Sequence, residues 1–141
     1  MNSSIADSGS TNAAGYTIDV WSDGTASVEY QNRTSTAASA RSFTFSPSVA
    51  LRFFADLKAA RAGNAHAQPC MKSASFGTST HVRWHGWLSP DLDCPPGDKL
   101  TSAILDDVNA IRAAGKVTAV PLRGGSFPGG PPRVIVSPLP T

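Results

Sequence analysis

An α+β domain is what this 141-residue sequence predicts, with an antiparallel sheet of about five strands in the order β-β-β-α-β-β-α and two helices packed on one face. Three observations carry that expectation. Short runs of alternating apolar and polar residues are joined by glycine-containing turns. Two longer segments repeat apolar residues at three- and four-residue steps. Both cysteines bracket the second pair of strands, at the open end of a hairpin.

The chain begins with MNSSIADSGSTNAAG, polar and small, without clear periodicity. Residues 1–15 therefore read as a disordered linker, of the kind left when an export leader is removed. YTIDVWSDGTASVEY follows as the clearest hairpin. A three-residue loop, Ser22-Asp23-Gly24, opposes Val20 to Ala26, Ile18 to Val28 and Tyr16 to Tyr30. A two-residue Asp-Gly turn opposes Ile18 to Glu29 instead. Only the first register collects apolar side chains on one face of both strands, and that match sets register. Trp21 then falls on the polar face, with Thr17, Asp19, Thr25, Ser27 and Glu29.

After a polar loop at 31–39, residues 41–45 (RSFTF) alternate as a third strand with Phe43 and Phe45 inward. SPSVALRFFADLKAARAG is a helix: Ser46 suits the N-cap, Pro47 the first turn and Gly63 the stop. Val49, Phe53 and Leu57, with Ala50 and Phe54 beside them, form its apolar stripe. The second hairpin covers Cys70 to Cys94. With Trp84-His85-Gly86 as its loop, Val82 faces Leu88, Thr78 faces Leu92 and Phe76 faces Cys94. A two-residue His-Gly turn pairs Trp84 with Trp87 instead, and the first register is preferred because it matches apolar with apolar. Pro90 cannot donate to a ladder, which places this last strand at a sheet edge. DKLTSAILDDVNAIRAAG closes the unit as a helix capped by Asp98 and ended by Gly115, with Leu100, Ile104, Val108 and Ile111 inward. The folded domain is thus 16–115, and the Pro/Gly-rich residues 116–141 form a mostly irregular tail. Its one β-like patch is 133–137.

In these features residues 16–115 resemble a group of small, mostly exported bacterial α+β domains of unknown function. The shared features are the Tyr16-Thr17-Ile18 strand, the Asp23-Gly24-Thr25 turn, the helix opened by Ser46-Pro47, the hairpin turning at Gly86 and the closing helix. The resemblance implies this fold and an envelope location, and it carries no catalytic residues.

Composition excludes several function classes. Residues 16–115 contain nine Lys/Arg and nine Asp/Glu, and the net +2 of the whole chain comes from Lys116, Arg123 and Arg133 against Asp7. A neutral unit without a basic cluster argues against nucleic acid, which is bound by releasing counterions to a positive face. No run approaches the ~20 apolar residues of a membrane span. Cys70 and Cys94 are expected to pair. Such a bridge stabilises by roughly 3–4 kcal/mol on the chain-entropy model and implies an oxidising compartment, periplasmic, cell-envelope or secreted.

Catalytic motifs are missing: there is no G-x-S-x-G, no P-loop and no G-x-G-x-x-G. Asp106 and Asp107 are adjacent on a helix, about 100° apart, and do not share a site. His81-x-Arg83-x-His85 projects from one strand face, and with Asp91 it suggests a small hydrolase or metal-dependent enzyme, although Arg83 repels a cation. The favoured reading is a non-catalytic binding module, inhibitor-like in type. It uses Trp21, His81, Arg83 and Trp87 on an open sheet face to take a protein, peptide or glycan ligand, and no cofactor or metal is expected.

Overall fold

The computed structural model describes residues 1–11, 13–31, 40–72, 77–118 and 120–121. The first hairpin takes its shape from alternation and a glycine turn. β3 (Tyr16–Trp21) and β4 (Thr25–Tyr30) pair antiparallel with Tyr16 opposite Tyr30, Ile18 opposite Val28 and Val20 opposite Ala26, the expected register. Gly24 has φ +91°, and a side chain there would meet the Phe45 carbonyl oxygen at 2.7 Å. The turn needs glycine for both reasons.

β5 (Arg41–Thr44) adds to β4, and its continuation Phe45 is buried. α1 (Pro47–Ala62) starts at Ser46, whose hydroxyl accepts from the Ser48 N–H, and buries Ala50, Phe53, Phe54, Leu57 and Ala60. α2 (Lys99–Gly115) starts at Asp98, which accepts from the Thr101 N–H, and buries Ile104, Val108 and Ile111. The left-handed residue that ends it is Lys116 rather than Gly115. Gly115 serves packing instead, because a Cβ there would lie 2.5 Å from the Phe43 ring. The two helices and the inward side chains of the sheet form one apolar cluster. The fold is therefore α+β, a six-stranded antiparallel sheet plus two helices, in the order β5-β4-β3-β1-β6-β7, where β1 is Asn2–Asp7, β6 Thr80–Trp84 and β7 Trp87–Leu88.

The order contains a correction. The first residues are not a linker: β1 (Asn2–Asp7) lies between β3 and β6 (Thr80–Trp84), paired antiparallel to both. Its alternation is faint because only Ile5 is a large apolar residue, flanked on the same face by Ser3 and Asp7. A ladder on each side supplies what side-chain hydrophobicity does not. Ser3 Oγ donates to the Arg83 carbonyl at 2.7 Å, and Asp7 Oδ1 accepts from the Gly9 N–H at 2.8 Å. β2 (Ala13–Ala14) pairs with β8 (Val120–Pro121), and Val117 is buried, so the start of the tail is also tied down. The 31–39 loop beyond Gln31, Phe76 and the 133–137 patch lie outside the described residues.

The second correction is the register of the second hairpin. β6 and β7 (Trp87–Leu88) pair Trp84 with Trp87 and Arg83 with Leu88. His85 and Gly86 both take positive φ, +48° and +77°, as a two-residue type I′ turn requires. Shifting the loop by one residue flips every side chain of the return strand. The choice is between burying Leu88 and burying Trp87, and the larger indole wins. Trp87 packs against the core, and Leu88 is left 49 % exposed. β7 ends before Pro90 and lies at the edge, as expected. Beyond it, backbone and side chain share the ties to β6: the Ser89 N–H donates to the Val82 carbonyl at 2.9 Å and the Leu92 N–H to the Thr80 carbonyl at 2.8 Å, while Ser89 Oγ accepts from the Val82 N–H at 2.8 Å and Asp91 Oδ1 from the Thr80 N–H at 3.1 Å.

Candidate functional site

Alternation sorts each strand into an inward side chain and an outward one. Ile5, Ile18, Val28 and Val82 point toward the helices and are fully or almost fully buried. The opposite face carries a row that the pairings place across all six strands: Ser42, Ser27, Asp19, Ser4, Arg83 and Leu88. None of these six is buried. Ser4 Oγ donates to Asp19 Oδ1 at 2.8 Å, which holds the middle of the row. The Arg83 guanidinium makes no hydrogen bond or ion pair with another described side chain.

Trp21, opposite Asn2 at the end of β3, stands on this outward face and is 38 % exposed. A hollow of about 520 Å³ adjoins it, lined by Trp21, Thr25, Ser27, Ser42, Phe43 and Thr44 among others. A second hollow of about 340 Å³ opens where β1 meets the second turn, between Asn2, Ser4, Arg83, Trp84, Trp87 and Leu88. β3 and β6 run parallel to each other on either side of β1, so both hollows lie at the turn end of the sheet.

Of the four residues expected on this face, Trp21, His81 and Arg83 are there. Trp87 is on the helix side, opposite Trp84, and Leu88 takes its place. His81 sits in the next outward row, with its Nδ1 2.8 Å from the Ser89 carbonyl oxygen. Sequence reading missed Leu88 and Ser4. Leu88 was matched inward, and Ser4 lay in residues read as linker.

The residues of the enzyme reading do not converge. His85 occupies the turn, its ring against that of Trp84 at 4.8 Å. Asp91 is committed to Lys72 and to the backbone N–H groups of Thr80 and Asp93. Burial opposes its ionisation, but these donors together hold its carboxyl below the usual range. Among the described residues no group of three or more His, Cys, Asp or Glu stands close enough to hold a metal ion.

A polar network that the sequence did not reveal lies at the other end of the sheet. The fully buried Thr80 hydroxyl accepts from Arg112 Nη2 at 3.1 Å and faces Asp93 Oδ2 at 2.8 Å and Asp7 Oδ2 at 3.3 Å. Its single proton goes to the nearer carboxylate, Asp93. Burial raises the Asp7 carboxyl above its ordinary value and pushes the Tyr16 phenol up to about 12. Arg112 lies over the Tyr16 ring at 5.9 Å. The network joins β1, β6 and α2 around the solvent-sealed Thr80 hydroxyl. Cys70 and Cys94 form a disulfide, Cα to Cα 5.6 Å, beside it. No helix among the described residues is long and apolar enough to cross a membrane.

Compared with protein-family models, curated proteins and solved structures, the chain matches none.

Proposed function

We propose that this protein is an exported, non-catalytic interaction module that receives a protein, peptide or glycan ligand on the outward face of its sheet. One observation carries the reading: a sheet buried by helices on one side leaves its other side unburied, with an exposed indole at Trp21, an exposed Leu88 and an uncommitted guanidinium at Arg83 between them. Exposed tryptophan and arginine are the residue types that anchor interfaces. Hydroxyls and Asp19 between the anchors supply directional donors and acceptors. The disulfide supports an oxidising compartment.

The test uses the immobilised protein against a random-peptide display library and a glycan array. A ligand of this face loses at least about tenfold in affinity to Trp21→Ala and to Arg83→Glu, while both variants melt within a few degrees of the parent. Selected ligands that bind both variants as well as the parent overturn the assignment. A large loss of stability in both variants shows that these side chains hold the fold.

A further inference from the structure

On the reading that the outward sheet face binds, the side chains around Trp21 narrow the class of ligand. β4 and β5 pair Thr25 with Thr44 and Ser27 with Ser42, and all four line the hollow of about 520 Å³ that the Trp21 indole borders. Neighbouring strands lie ~4.8 Å apart and alternate residues of a strand ~7 Å apart, so the four hydroxyls cover the footprint of about one sugar ring. Thr25 donates its hydroxyl to Asp23 Oδ1 at 2.7 Å, whereas those of Ser27, Ser42 and Thr44 make no hydrogen bond with a described residue. Asp19, opposite Ser27, accepts from Ser4 through Oδ1, which leaves Oδ2 to a ligand.

Composition and charge decide among occupants. Serine and aspartate are depleted from protein interfaces. Here Trp21 and Leu88, the exposed large apolar side chains of this face, stand three strand spacings apart with Ser4 and Asp19 between them. A nucleic acid or an acidic polymer requires a positive groove, yet Asp19, Asp23 and Glu29 outnumber Arg83 on this side. A neutral sugar meets both conditions. Its hydroxyls donate and accept, as those of serine and threonine do. Its apolar C–H face suits the electron-rich face of an indole.

We infer that the ligand of this face is a neutral glycan, with one ring stacked on Trp21 and its hydroxyls bonded to Ser27, Ser42, Thr44 and Asp19. The outward row continues from Ser27 through Asp19 and Ser4 to Arg83, so the glycan runs across the strands, and the guanidinium donates to a sugar further along.

The test titrates the intact protein with maltohexaose, cellohexaose, mannohexaose and N-acetylchitohexaose, following the Trp21 indole N–H by NMR. At least one is expected to shift that resonance and to bind about tenfold more weakly to Trp21→Ala. Trp21→Phe, which keeps an aromatic platform, retains most of the affinity. The double variant Ser27→Ala/Ser42→Ala loses affinity several-fold at an unchanged melting temperature. Binding that Trp21→Ala leaves intact overturns the inference, as does tighter binding of heparin or polygalacturonate than of any neutral hexasaccharide. Failure of all four sugars overturns it too: selected peptides that depend on Trp21 would then leave the face a binding face for another class of ligand, and the absence of such peptides would remove both readings.

Discussion

The two hairpins turn at the same end of the sheet, and each puts a glycine last in its turn, yet they are held in different ways. The first is fastened from below. The Gly24 carbonyl accepts from the Phe45 N–H at 2.8 Å, its own N–H donates to the Trp21 carbonyl at 3.1 Å, and Asp23 Oδ1 takes the Thr25 N–H and hydroxyl at 3.0 and 2.7 Å. A Cβ on Gly24 has nowhere to go. The second turn hangs free: nothing lies within 4 Å of a Cβ on Gly86, and its tertiary tie is Arg61 Nη1 donating to the His85 carbonyl at 3.3 Å. Tertiary contact decides the first bend, while backbone preference at His85-Gly86 and the weight of the flanking indoles decide the second. A glycine at a turn therefore marks the bend in both, but its neighbours determine which residues oppose one another.

Substitutions at the bends sharpen this contrast. Gly24→Ala combines left-handed strain with the Phe45 carbonyl contact and should cost roughly 2–4 kcal/mol. Chemical denaturation measures it, and a cost below that of Gly86→Ala would reverse the comparison. Gly86→Ala meets only backbone strain, about 1 kcal/mol, and should leave the 84–87 pairing intact, as cross-strand NMR contacts between Trp84 and Trp87 would show. Asp23→Ala should have the smallest effect. Its hydrogen bonds to Thr25 hold the carboxyl below the usual range, so what stability it adds is present above the ordinary carboxylate range and is lost as pH falls through its folded value. Melting curves of this variant and the parent should converge in acid; a constant gap at every pH would mean that the charge plays no part.

Much of the architecture was legible because it rests on signals repeated along the chain. Ser46-Pro47 and Asp98 cap helices whose apolar steps are regular, and Ile18, Val20, Ala26 and Val28 leave one sensible register. The open face was legible at Trp21, His81 and Arg83 for the same reason. What stayed hidden lacks local signal. β1 has one large apolar residue, and one of its two partners, β6, stands far away along the chain. Trp87 and Leu88 exchanged faces because matching apolar to apolar ignores how much larger an indole is. The Asp7–Thr80–Asp93–Arg112 network and the Arg52–Asp107 bridge join residues from elements that only the tertiary fold brings together.

β1 has a consequence for how the molecule assembles. It joins the β3-β4-β5 half of the sheet to the β6-β7 half, and its Ser3 hydroxyl reaches the Arg83 carbonyl eighty positions later. A ribosome delivers this strand some eighty residues before its second neighbour, so one of its edges waits bare until that neighbour arrives. Such long-range closure is slow, and an unoccupied edge invites pairing with another chain. A holding chaperone that shields the opening residues would raise the yield of native protein more than one that acts on the finished helices.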